Sequence, residues 1–296
     1  MFTGSKAIIK TGLILLTVAS TVFLSCQRPI NKVPVDNQQP SNLPERTILD
    51  TAYGADPRNK MDIYLPAGRN NTTKTVVMIH GGGWVGGDKK DMKFAVDLFK
   101  AKWPQAAFVS INYRYANGST VTCDPILSDI HAAITLVVNN RSKFQVSDQV
   151  ALLGASAGAH LALMYAYTQN QKGHVKCVVD LFGPSTLNDW QWYNAVFPLN
   201  YKDLLTKING TTWNEPIYKN NSPNFRAHKD APPTIIFHGT LDPVVPLYQS
   251  QWLRGRLNEL KVPNEYYEYL DFHGFTMENY NDCADKCIRF FKQYMK

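Results

Sequence analysis

From residue 46 onward, short apolar runs alternate with longer amphipathic stretches. Residues 75–79, 107–112, 150–153, 175–182, 234–238 and 265–270 are rich in Val, Ile and aromatic residues, and most of them lack a polar alternate position. Runs of that length and composition predict strands, most of them buried on both faces. Between them, residues 88–103, 125–139, 157–169, 246–260 and 278 to the C-terminus carry helical patterns. Asp88 is placed to cap the first of these and Pro104 to end it. Strands alternating with helices predict an α/β fold with a mostly parallel central sheet and helices on both faces. Residues 48–65 read instead as a hairpin, turning around Gly54-Ala-Asp-Pro57.

One stretch breaks the alternation. Residues 184–230 hold Trp190, Trp192, Tyr193, Phe197, Tyr201, Trp213, Tyr218 and Phe225. An aromatic insertion between two strands predicts a lid over a site, with Trp190 and Trp192 as substrate-binding candidates; helices that only fill core are the plainer alternative.

The N-terminus follows another logic. Lys6 and Lys10 precede the uncharged, mainly apolar residues 11–24. A positive flank before a short apolar core is an export signal, and the stretch is too short for a typical membrane span. Phe23-Leu24-Ser25-Cys26 resembles a bacterial lipoprotein signal. That resemblance implies a signal peptide over residues 1–25, lipidation at Cys26 and a membrane anchor. The expected location is the bacterial cell envelope, periplasmic or surface-facing, or outside the cell if Cys26 carries no lipid. Residues 26–45, with Pro29, Pro34, Pro40 and Pro44 among polar residues, predict a flexible tether to a domain spanning 46–296.

Composition narrows the field further. Of the sequence, 44% is hydrophobic and 19% charged, ordinary for a globular chain able to bury its own core. The formal charge is +7, and +5 once Lys6 and Lys10 are removed. The excess is scattered, with no basic run beyond Lys89-Lys90, so nucleic acid is not an expected partner. Besides Cys26 the chain has Cys123, Cys177, Cys283 and Cys287. The last two have helical spacing but no His or second Cys pair nearby, so no metal site is expected.

Candidate chemistry gathers at strand ends. Gly154-Ala-Ser156-Ala-Gly158 follows one predicted strand and opens a helix. Such a turn holds a serine away from the sheet, and its glycines remove Cβ groups that would collide. A serine hydroxyl needs a base, and the base an orienting acid. Of the seven histidines, His273 alone follows the last predicted strand in a short loop. His160 lies on the serine's own helix, while His80 and His238 read as loop-shaping. Asp242, in His238-Gly-Thr-Leu-Asp242, follows the penultimate strand and is the acid candidate, with Asp180 in reserve. The loop His80-Gly-Gly-Gly-Trp84 follows another strand and can aim backbone N–H groups at a developing oxyanion, with the N–H of Ala157 as second donor.

These motifs, with Tyr53-Gly54, Met61-Asp-Ile-Tyr-Leu-Pro66, Asn112-Tyr-Arg114 and His273-Gly274, resemble α/β-hydrolases of the hormone-sensitive-lipase and feruloyl-esterase-like carboxylesterase group, over roughly residues 46–296. The resemblance implies Ser156 as nucleophile, His273 as base, Asp242 as acid, and Gly82, Gly83 and Ala157 as oxyanion donors. Trp84 fits the subgroup with an aromatic after the glycines and is a further substrate-binding candidate. It also implies hydrolysis of short acyl or phenolic esters, with carbohydrate esters as the expected substrates and no cofactor. Amide hydrolysis, as in formamidases with a related glycine loop, and peptide hydrolysis are alternatives on the same fold. A non-catalytic binding module is the alternative of another class, for which a broken triad is expected.

Overall fold

The apolar runs become a twisted eight-stranded sheet in a computed structural model that describes residues 41–296. The expected signal peptide, Cys26 and most of the expected tether lie outside the described residues. Strands β1 (Arg46–Ala52) and β2 (Lys60–Leu65) form the hairpin, with a register shift between Ile48 and Thr51. Next in the chain come β3 (Thr75–Ile79), β4 (Ala107–Ile111), β5 (Val150–Ala155), β6 (Val175–Leu181), β7 (Thr234–Gly239) and β8 (Asn264–Tyr269). Their spatial order is β1-β2-β4-β3-β5-β6-β7-β8. β2 pairs antiparallel with β1 and β4, and every other pairing is parallel.

Two apolar layers sandwich this sheet, because alternate residues of each strand face opposite sides. Val77 and Ile79 of β3 join the layer beneath α2 (Cys123–Asn139) and α4 (Ala157–Thr168). Val76 and Met78 join the layer beneath α1 (Lys93–Lys102) and α10 (Met277–Tyr294), where Phe99, Trp103, Phe108 and Phe291 stack and tilt against one another. Cys177, Cys283 and Cys287 are buried in the second layer as small apolar side chains. α3 (Arg141–Phe144) and α9 (Leu247–Glu259) complete the helices outside the insertion. Asp88 makes a reciprocal capping box with Asp91 at the 3-10 turn Lys89–Met92, and α1 ends just before Trp103 and Pro104.

The insertion between β6 and β7 folds into four short helices: α5 (Trp190–Asn194), α6 (Tyr201–Asn209), α7 (Glu215–Asn220) and α8 (Pro223–Arg226). Side chains of Asp189, Asn200 and Asn214 cap the first three, and proline starts α8. Tyr193, Trp213 and Tyr218 pack together, their ring centroids 5.2–5.7 Å apart, and continue the apolar layer beneath α2 and α4 into the insertion.

The domain also holds chain ahead of residue 46. The amide of Gly68 donates to Leu43 O at 2.9 Å, and Ser41 and Pro44 bond to Arg69. The last residues of the expected tether are therefore bound to the domain, from Ser41 onward.

Candidate active site

Among the described residues, all the predicted site residues except the insertion tryptophans sit at the carboxyl ends of parallel strands, where an open α/β sheet leaves its crevice. Ser156 follows β5 at the head of α4 with φ +55° and ψ −124°, a conformation L-residues rarely adopt. The turn is held from both sides. A Cβ on Gly158 would lie 2.2 Å from Ile79 O, so only glycine lets α4 start this close to the end of β3.

The three polar side chains expected to act together are hydrogen-bonded in a row. His273 Nε2 is 2.9 Å from Ser156 Oγ, and His273 Nδ1 is 2.7 Å from Asp242 Oδ2. The buried carboxylate accepts the Nδ1–H, which leaves the Nε2 lone pair facing the serine hydroxyl. Burial pushes the Asp242 pKa up, but hydrogen bonds from His238 and His273, the His273 charge and the Val245 amide hold it well below the ordinary carboxylate range. The backbone amides of Val244 and Val245 donate to Oδ1 at 2.7 and 3.0 Å. His238 Nε2 stands 3.2 Å from Oδ2. His238, expected only to shape its loop, is thus a second imidazole on the acid. The i, i+4 spacing of His238 and Asp242 was visible in the sequence; the direction of the ring was not. Asp271, two residues before His273, accepts from the Thr276 amide and from Asn279 and so closes the loop that carries the base. The ring of Phe182 meets that of His273 edge-on at 4.8 Å.

Asp180, the reserve acid, makes no bond to His273. Its Oδ1 accepts from the Gly183 amide, its Oδ2 has no partner among the described residues, and burial raises its pKa to about 7.

The glycine loop is braced by residues around it. Gly82, at φ +108°, accepts from the amides of Val85 and Gly86 and forms a tight turn. Tyr113 stacks on His80 at 4.4 Å and donates its hydroxyl to His80 O. Arg114 grips Asp129 of α2 with paired bonds of 2.8–3.0 Å. Trp84 is buried, and its indole N–H donates to His160 Nδ1 at 3.2 Å. His160 Nε2 in turn donates to Asn221 O of the insertion at 2.8 Å. Complete burial lowers the His160 pKa to about 4, against the bond to Asn221 O, which acts to raise it.

Gly82, Gly83 and Ala157 line a cavity of about 380 Å³ together with Ser156 and His273. Its other walls are apolar or aromatic: Trp84, Val85, Val244 and Val245 from the domain, and Pro184, Trp192, Leu199, Tyr201 and Leu204 from the insertion. Trp192 fixes its ring by donating to Val244 O at 3.1 Å. Trp190 departs from expectation. It is 57% exposed and lines a separate groove, outside the cavity over Ser156. It precedes Trp192 by two positions on a single helical turn, and residues so spaced face different sides of a helix.

Comparison with known proteins gives a family and a fold. Residues 61–257 match the family model described as BD-FAE. The isoprenylcysteine alpha-carbonyl methylesterase of Arabidopsis thaliana is 27% identical over 231 residues, 72% of this chain and 53% of that protein. The chain thus spans about half the length of that relative. Among solved structures, a bifunctional GH43-CE protein of Bacteroides eggerthii superposes with a TM-score of 0.73 at 25% identity, covering 84% of this chain and 35% of that one. A truncated carbohydrate esterase from gut microbiota superposes with a TM-score of 0.69 at 23% identity, covering 84% of this chain and 97% of that one. The fold is that of α/β-hydrolase esterases.

Proposed function

The chain belongs to the BD-FAE family, and from that premise we propose that it hydrolyses carboxylic esters with Ser156 as nucleophile. The observation that carries the reading is the unbroken row Asp242–His273–Ser156 opening into an apolar cavity beside the glycine loop. In the proposed reaction His273 Nε2 takes the Ser156 proton as Oγ attacks the ester carbonyl. The oxyanion rests on the N–H groups of Gly82, Gly83 and Ala157. Collapse of the tetrahedral adduct breaks the bond to the alcohol oxygen, which leaves with the proton held by His273. Water then gives a proton to His273 and attacks the acyl-enzyme, and collapse releases the carboxylic acid and restores Ser156. Asp242 stays ionised throughout and steadies the imidazolium, which suits a carboxylate held far below its usual range. Trp84 and Trp192 serve as cavity walls; neither has a free indole N–H to offer a substrate.

The cavity walls favour a short apolar or phenolic acyl group, and the carbohydrate esterases named above support a sugar as the alcohol. Initial rates on a p-nitrophenyl series from acetate to decanoate, beside the matching p-nitroanilides and acetylated xylan, test this. Short esters and acetylated xylan turned over well above the anilides are expected. A preference for anilides, or for long-chain esters over acetylated xylan, would contradict the assignment. Anchoring through a lipid on Cys26 belongs to the same proposal: Cys26→Ala should release the protein from the membrane fraction, and a variant that still sediments there after cleavage would contradict it.

A further inference from the structure

Separate from the catalytic cavity lies a groove of about 740 Å³, lined by residues of α5, α8 and α9. Trp190 and Trp252 stand in its walls, 57% and 46% exposed, although large aromatics normally bury most of their surface. Tyr248, one turn before Trp252 and 4.6 Å from it, donates its hydroxyl to Asp189 Oδ2 at 2.6 Å. Asp189 Oδ1 already accepts the amides of Gln191 and Trp192, so this carboxylate is committed to the protein. Asn224 is different. It lines the groove, and its Oδ1 has no donor among the described residues. That oxygen is sealed from solvent, so an occupant of the groove meets the rest of the Asn224 side chain.

The chemistry of this lining selects its occupant. No Lys or Arg lines the groove, and Asp189 is its one charged residue, which disfavours anions. The remaining polar groups are amides and hydroxyls between exposed aromatic rings. That combination suits a ligand rich in hydroxyls with apolar C–H faces. The catalytic cavity complements it, for its apolar walls suit an acyl group and provide almost nothing to hold a sugar. One five-residue helix serves both sites, with Trp192 facing the cavity and Trp190 the groove.

We propose that this groove binds the sugar backbone of an uncharged polysaccharide whose ester group enters the cavity at Ser156. The proposal rests on the esterase reading above. Its test uses the full chain as Ser156→Ala, with affinity electrophoresis in gels containing acetylated or deacetylated xylan. Deacetylated xylan has nothing to place in the acyl cavity, so its binding reports on the groove alone. Retardation by both polymers is expected, weakened about tenfold by Trp252→Ala, the equivalent of about 1.4 kcal/mol. Trp252 lies on α9, 46% exposed, and the melting curve of the Trp252→Ala protein checks that α5, whose cap Asp189 is bonded by the neighbouring Tyr248, stays in place. In the otherwise unaltered enzyme Trp252→Ala should raise KM for acetylated xylan about tenfold, with kcat and p-nitrophenyl acetate turnover unchanged. Equal binding by the Trp252→Ala protein, or no retardation of a protein active on p-nitrophenyl acetate, would overturn the groove while leaving the esterase reading in place. Self-association abolished by Trp252→Ala, without polysaccharide binding, would overturn it in favour of a second copy. A protein inactive on p-nitrophenyl acetate yet retarded by deacetylated xylan would remove the esterase reading and keep the groove.

Discussion

At the scale of single residues, His160 ties together parts of the site that are remote in sequence. It sits on the nucleophile's helix, accepts from Trp84 of the glycine loop and donates to the insertion at Asn221. Replacing it with Ala strands a buried indole N–H and a buried carbonyl, each loss worth about 1–3 kcal/mol. Because Trp84 follows Gly83 directly, the slackened loop should also misplace its N–H groups. His160→Ala is expected to lower kcat about 10²-fold with a smaller change in KM, as misplacement of about 1 Å can do. Steady-state kinetics alongside a melting curve check this, and an unchanged kcat in the folded variant would contradict it. The sequence made Ser156, Asp242 and His273 legible because each follows a predicted strand in a recognisable turn. It hid the second partners, His238 on Asp242 and His160 on Trp84, because both depend on side-chain directions that only tertiary packing sets.

At the scale of elements, the parallel strands were readable because burial on both faces leaves continuous apolar runs. The insertion was readable as a break in the alternation, but its internal structure was not. Its helices α5 to α8 span four to nine residues each, too few turns for a periodicity to declare a buried face. Hence Trp190 and Trp192 looked equivalent in the sequence and face different sites in the fold. The expectation of a lid and that of core packing meet in this one element, whose Tyr193, Trp213 and Tyr218 pack together while Leu199 and Leu204 wall the cavity. Leu204 reaches over the glycine loop, close enough to contact a Cβ built on Gly83 at 3.3 Å. Leu204→Ala should lengthen the acyl group accepted and raise the octanoate-to-acetate ratio of kcat/KM about tenfold, the scale on which apolar pockets discriminate. An unaltered chain-length profile would show that α6 does not limit the cavity.

For the molecule as a whole, three buried ionisable groups set how stability responds to acid. Burial lowers His80 and His160 from 6.5 to about 4, so between those values the unfolded chain binds two protons that the folded chain refuses. Asp180, raised by burial from 3.8 to about 7, acts oppositely and holds one proton in the folded state over the same range. The net is about one proton in favour of the unfolded chain. Stability should therefore fall on acidification from pH 6.5 towards 4, by about 1.4 kcal/mol per pH unit. His160→Gln, which removes one titrating imidazole, should flatten the slope. Urea unfolding across that range checks the sign, and stability that rises with acid would contradict neutral burial of the two histidines.

Everything proposed about catalysis depends on one hydroxyl. The most direct measurement is the turnover of p-nitrophenyl acetate by Ser156→Ala beside the unaltered protein, with both shown to be folded by the same melting transition. Loss of turnover on the order of 10⁶-fold is predicted, the scale expected when the nucleophile of such a triad is removed. A folded Ser156→Ala protein that keeps its turnover would contradict the account at its centre.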